Sequence, residues 1–170
     1  ERLIRECGLL PPSPEVEHWP WPVRIYTLGR FAVLRDNIPL ATSGKSQHRL
    51  LDFLQVLIAL GGRNVSATTL AETLWPGTDA DGALSTLGST LHRVRKLLGD
   101  AEAITLSNGV VSIDARRCWV DAWALERCTA QLATPTIIKT AEPAGAELDA
   151  LQGQVLRLYT GPFLMGEAEL

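Results

Sequence analysis

Between residues 83 and 98 the chain reads ALSTLGSTLHRVRKLL, with no Asp or Glu. On a helical wheel Ser85, Ser89, Arg93 and Lys96 fall on one side, with Thr86 and His92 flanking them. Hydroxyls and cations on one open face can hydrogen-bond phosphate oxygens, neutralise their charge and reach base edges. The same residues also suit a plain solvated face, so the elements around them must decide.

Leu84, Leu87, Leu91, Val94 and Leu98 form the opposite stripe, which predicts an amphipathic helix buried along that side. Thr78 and Asp81 resemble a capping box and place the helix start near Asp81. After it come residues 103–107 and 110–114, apolar runs joined by Asn108-Gly109, a strong hairpin signal. Before it, VRIYTL, FAVLR and IPLA predict antiparallel strands at 23–28, 31–35 and 38–41, with Asp36-Asn37 as a two-residue turn. A first helix follows, with Leu50, Leu54, Leu57 and Ile58 inward and a stop at Gly61-Gly62. A second begins at Ser66 as N-cap, buries Ala67, Leu70, Ala71 and Leu74, and ends at Trp75-Pro76. Three helices and then a hairpin is the winged helix-turn-helix order.

The net charge of −3 is unevenly spread: residues 1–22 carry −2, 23–99 carry +4 and 100–170 carry −5. A basic segment inside an acidic chain can face a polyanion. Cys7, Cys118 and Cys128 are an odd set without a CxxC pair, and His18, His48 and His92 lack metal-ligand spacing, so neither zinc nor a disulfide framework is expected. Gly44-Lys45-Ser46 is not the end of a phosphate-binding loop, because Pro39 stands where the motif needs its first glycine; Lys45 remains a candidate phosphate contact. With no nucleophile-base pair either, no catalysis and no cofactor are expected. No apolar run is long enough to span a membrane and the first residues lack a signal-peptide core, so a cytoplasmic protein is expected.

The stretch VRIYTLGRFAVLRDNIPL, the helix pair, LHRVRKLLG and the closing hairpin resemble the winged-helix domain of OmpR/PhoB type, in the version found in bacterial transcriptional activators of the antibiotic-regulator kind. The resemblance covers residues 23–114. It implies a third helix in the major groove of double-stranded DNA and a hairpin wing toward the minor groove. By position, Ser85, Thr86, Ser89, Thr90, His92 and Arg93 would touch bases or phosphates, and Arg95 and Lys96 phosphates. It further implies that loop 75–81 faces RNA polymerase or another DNA-bound protein, and that protomers bind DNA in tandem. Two departures stand out: Leu106 to Val110 carry no charge where relatives often bring arginine into the wing, and the front half of the third helix, with Gly88 in its middle, lacks arginine or long amides.

Outside that domain, residues 1–22 read as the tail of a preceding domain entering a proline-rich linker. Residues 115–170 read as a helical segment. Asp121 is the expected N-cap of a helix facing inward through Leu125, Cys128 and Leu132, and Trp119 and Trp123 are expected in the core. A polar linker then leads to a helix opening at Pro143, with Leu148, Leu151, Val155 and Leu158 on one face. The phrase LRLYTGPFLMGE resembles the opening of the helical-repeat activator domain of the same activators.

The expected class is α+β: a winged helix-turn-helix with an N-terminal antiparallel three-stranded sheet, three helices and a C-terminal β-hairpin wing, followed by additional C-terminal helices. The expected function is sequence-specific duplex DNA binding as the output module of a multidomain bacterial transcriptional regulator. The alternative is a winged helix repurposed as a protein-protein interaction module, which the uncharged wing favours.

Overall fold

A computed structural model of the chain describes residues 4, 9, 11–13, 16–40, 45–133 and 144–164. The elements run β1 (Val23–Tyr26), β2 (Ala32–Arg35), β3 (Ile38–Pro39), α1 (Lys45–Ala59), β4 (Val65–Ser66), α2 (Ala67–Leu74), α3 (Ala80–Leu98), β5 (Ile104–Ser107), β6 (Val110–Ile113), β7 (Cys118–Val120), α4 (Asp121–Ala133) and α5 (Ala144–Leu158). The fold is α+β, with an N-terminal sheet, helices, a β-hairpin and further helices after it.

Both two-residue turns form as their sequences require. Asp36 and Asn37 take φ of 51° and 68°, and Asn108 and Gly109 take 51° and 74°, the left-handed pair of a type I′ turn. That geometry sets the registers Arg35↔Ile38 and Ser107↔Val110.

The sheets carry more strands than the sequence suggested. β7 extends the N-terminal sheet to four strands in the order β3-β2-β1-β7, and β4 pairs with β6 to make the hairpin part of a three-stranded sheet. Both additions are two or three residues long, too short for alternation to be visible. They exist because partner strands offer them unpaired N–H and C=O groups.

Two compact units are present. One comprises Trp21–Arg24 and Val33–Cys118, the other Glu1–Pro20, Ile25–Ala32 and Trp119–Leu170, so the division passes through β1, β2 and β7 themselves.

In the first unit, α1 buries Leu50, Leu51, Phe53, Leu54, Leu57 and Ile58, and α2 buries Ala67, Leu70 and Ala71. Against them α3 sets Leu87, Leu91, Val94 and Leu98, each removed from water at a gain of about 1.5–3 kcal/mol. The expected stripe is corrected at its first member: Leu84 is 38% exposed and Ala83 is buried in its place. The cap is displaced by one residue from the Thr78 of the expected pair. Asp79 is the N-cap, its Oδ2 accepting from the Gly82 N–H at 3.0 Å, and Asp81 lies in the first turn, where it complements the helix dipole. Ser66 caps α2 as expected, accepting from the Thr69 N–H at 3.4 Å.

The proline-rich stretch is partly structural rather than a bare linker, since Trp21 is 1% exposed and the Pro22 carbonyl accepts from the Asp36 N–H at 3.0 Å. Of the expected helix tail before it only Ile4, which is helical, and Leu9 are described, and the polar linker beginning near residue 134 lies outside the described residues, as does Pro143.

In the second unit, α4 turns Trp123, Ala124 and Cys128 inward, while Leu125 and Leu132 are only half-buried. The expected apolar face is therefore rotated. Its partner α5 buries Leu158 and leaves Leu148 exposed. Trp119 belongs to the core at 2% exposure. Asp121 does not act as a simple cap. Its carboxylate reaches back to residues 27 and 28, accepting from the Thr27 N–H at 2.8 Å, the Thr27 hydroxyl at 2.7 Å and the Leu28 N–H at 2.9 Å.

Candidate nucleic-acid interface

The first unit holds α3 by its apolar side and by a polar anchor from Arg95 to the hairpin. Gly99 ends the helix in the left-handed conformation, with its N–H on the Lys96 carbonyl at 3.3 Å. The Arg95 Nε donates to the Ile104 carbonyl at 2.7 Å and ties the last turn to the first strand of the hairpin. The Ala67 N–H donates to the Gly109 carbonyl at 2.8 Å, so the tip of the hairpin is fixed to the start of α2. Farther along, Asn64 N–H to the Ser112 hydroxyl and Ile113 N–H to the Gly62 carbonyl, both at 2.8 Å, bind the other strand to the α1–α2 connection. Helix and hairpin are thereby parts of one preorganised surface.

On that surface Ser85, Thr86, Ser89, His92, Arg93 and Lys96 are exposed, and Thr90 and Arg95 are half-buried. Six of the eight sequence-derived positions thus share the open face. Arg95 has its Nε committed to the hairpin, which makes it a brace before it is anything else. The Thr86 hydroxyl donates to the Gly82 carbonyl at 2.8 Å and the Ser89 hydroxyl to the Thr86 carbonyl at 2.9 Å. These back-bonded hydroxyls keep lone pairs outward and can accept from a ligand, while their own protons stay on the helix. Positive charge on the face therefore comes from Arg93 and Lys96. A Cβ built on Gly88 meets nothing within 4 Å, which removes close packing as the reason for this glycine.

The wing tip, Ser107 to Gly109, is exposed and uncharged, with Leu106 also exposed. At its base the cations are internally spent. Arg116 pairs with Asp114 at 3.1 Å, and Arg117 pairs with Asp100 at 2.8 Å and with Glu102. Partial burial raises the Asp114 carboxyl, but hydrogen bonds and charge from Arg116, with the charge of Arg117, outweigh it and hold the group below its ordinary value. Arg117 is shifted upward, chiefly by its hydrogen bond to Asp100. The loop from Trp75 to Asp79 is largely exposed, closed by Thr78 N–H to the Trp75 carbonyl at 3.2 Å.

The buried Cys118 thiol is unreactive in this setting. Cys118 is enclosed and its proton is held by desolvation, with the Sγ–H directed at the Ala103 carbonyl at 3.6 Å. Among the described residues no cluster of three or more His, Cys, Asp or Glu could hold a metal ion. No described helix is long and apolar enough to cross a membrane.

A second concave site went unread in the sequence. Its lining, which includes Tyr26, Arg30, Trp119 and Arg157, comes from stretches far apart in the chain. No periodicity links them; only the pairing of aromatic and arginine residues hints at it.

No family model matches this chain, and no curated protein matches it. Among solved structures it is similar to Mycobacterium tuberculosis EmbR, in a complex with a low affinity phosphopeptide, at 20% identity and a TM-score of 0.53. That likeness covers 84% of this chain and 37% of EmbR, so the chain spans well under half the length of the protein it resembles. At this identity the likeness establishes a common fold.

Proposed function

We propose that the first unit binds double-stranded DNA as the output module of a transcriptional regulator, with α3 in the major groove and the β5–β6 hairpin near the minor groove. The observation that carries this reading is the open face of α3 from Ser85 to Lys96, free of acidic residues and locked to a hairpin through Arg95 and Ile104. Ser85, Thr86, Ser89, Thr90 and His92 supply short acceptors and donors for base edges and phosphates. Arg93 is placed to read a base or a phosphate, Lys96 to neutralise a phosphate, and Arg95 to brace the wing with any remaining donors toward the backbone. The 75–81 stretch, an exposed loop leading into the start of α3, is the proposed face toward RNA polymerase, and tandem protomers are the proposed arrangement on DNA.

Fluorescence anisotropy of the full chain on a duplex taken from random-sequence selection tests this. Affinity should fall with salt at a slope of about −0.9 per phosphate contact in log-log form. Arg93→Ala should cost on the order of 1–3 kcal/mol, and Lys96→Ala should reduce the salt slope by about one. Absence of binding at low salt, or binding indifferent to both changes, would overturn it.

A second reading rests on the wing. With an uncharged tip, an exposed Leu106 and basal arginines already paired, the hairpin suits a protein partner better than a phosphate backbone. Leu106→Ser separates the two: it leaves DNA affinity in place under the first reading and abolishes partner capture under the second.

A further inference from the structure

Within the second unit lies an open cavity of about 460 Å³, inside the size range of small-molecule sites. Its aromatic part is Tyr26 and Trp119, packed edge to face with ring centroids 5.4 Å apart. Trp119 is almost wholly enclosed, yet among the described residues its indole N–H has no hydrogen-bond partner. A buried donor left unpaired costs about 1–3 kcal/mol.

Two guanidiniums, Arg30 and Arg157, also line the cavity, and among the described residues neither has an ion pair. Arg30 lies over the Tyr26 ring, its Cζ 5.4 Å from the centroid, which holds the cation at the aromatic wall. Two carboxylates, Glu17 and Asp121, also line the cavity, and each already accepts hydrogen bonds. Glu17 Oε1 accepts from the Tyr26 hydroxyl at 2.8 Å, and Asp121 takes its donors from Thr27 and Leu28. The two guanidiniums are therefore cationic donors beside an aromatic surface.

We infer that this cavity binds a small organic anion, a carboxylate or phosphate monoester on an aromatic body. Arg30 and Arg157 hold the charge, and Tyr26 stacks with the body at a wall that Trp119 completes.

The test is a titration of the full chain followed by ¹H–¹⁵N spectra, with phenyl phosphate and benzoate as probes and inorganic phosphate and tryptamine as comparisons. The Trp119 indole signal is assigned by its loss in Trp119→Phe. At least one aromatic anion should shift that signal saturably, and whichever binds more tightly identifies the headgroup. Arg30→Gln combined with Arg157→Gln, both on exposed side chains, should weaken binding by about tenfold or more with the melting curve unchanged. The inference is overturned by no saturable shift up to ~10 mM probe, corresponding to no useful affinity. It is equally overturned by a shift indifferent to the double change, or by inorganic phosphate or tryptamine binding as tightly as the aromatic anions.

Discussion

The Asp121 carboxylate and Thr27, 94 residues apart, meet through both the backbone N–H and the hydroxyl of the threonine, at 2.8 and 2.7 Å. Both residues are buried. With Leu28 N–H added, one side chain at the start of α4 satisfies the donors of a bend that leaves β1. Asp121→Asn would turn an amide N–H₂ toward donors, and should cost about 2–4 kcal/mol by urea denaturation. Thr27→Val removes only the hydroxyl and should cost about 1 kcal/mol.

The same pair has a pH signature. Burial raises the Asp121 carboxyl above its ordinary value, against the opposing hydrogen bonds of Thr27, Leu28 and Ala122. A raised folded pKa means that the folded chain holds the proton more tightly, so this contribution is full below the unfolded pKa and is lost as pH rises through the folded one. The stability gap between wild type and Asp121→Asn should therefore widen as pH falls across that window, as read by chemical denaturation at a series of pH values. A gap that narrows there contradicts the assignment.

Gly29 and Gly161 mark where the segment after α5 crosses the bend after β1. A Cβ on Gly161 would stand 2.7 Å from Gly29 Cα, and the Gly29 N–H donates to the Pro162 carbonyl at 2.9 Å. Gly161→Ala forces backbone apart and should destabilise by about 1–3 kcal/mol. Gly153→Ala is the control, since its Cβ meets only Arg157 Nη1 at 3.5 Å within a helix; it should stabilise by roughly 0.5–1 kcal/mol. Thermal melts of the two variants should move in opposite directions.

Gly88 separates stability from binding. Its surroundings are open, so Gly88→Ala should stabilise α3 by about 0.5–1 kcal/mol. If DNA lies against this face, the added methyl should also weaken duplex binding; melting and anisotropy on one variant give both answers. A stabilised variant with unchanged affinity would place the duplex away from Gly88.

Asp79 rather than Thr78 starts α3. Asp79→Ala should cost about 1 kcal/mol, and Thr78→Ala should be close to neutral, because only the former removes the acceptor for the Gly82 N–H. Equal losses would restore Thr78 as the cap.

What the sequence determined by itself was local. The apolar spacing of α1, α2 and most of α3, the Ser66 cap and the two type I′ turns are written in residues a few positions apart, and these elements formed where that chemistry put them. The open face of α3 was legible for the same reason, since one helix carries it. Tertiary structure decided the rest. The two-residue β4 and three-residue β7 hold too few side chains for a pattern and form only because a neighbouring strand supplies partners. Leu84 looks buried on a wheel but is exposed in the fold, and Asp121 looks like a cap until residues 27 and 28 arrive to claim it. Arg95 becomes a brace, Arg116 and Arg117 become neutralised, and Tyr26, Arg30, Trp119 and Arg157 become one cavity, each through a partner distant in sequence. Short-range stereochemistry acts within the unfolded chain; charge pairing and enclosure need the chain to have closed.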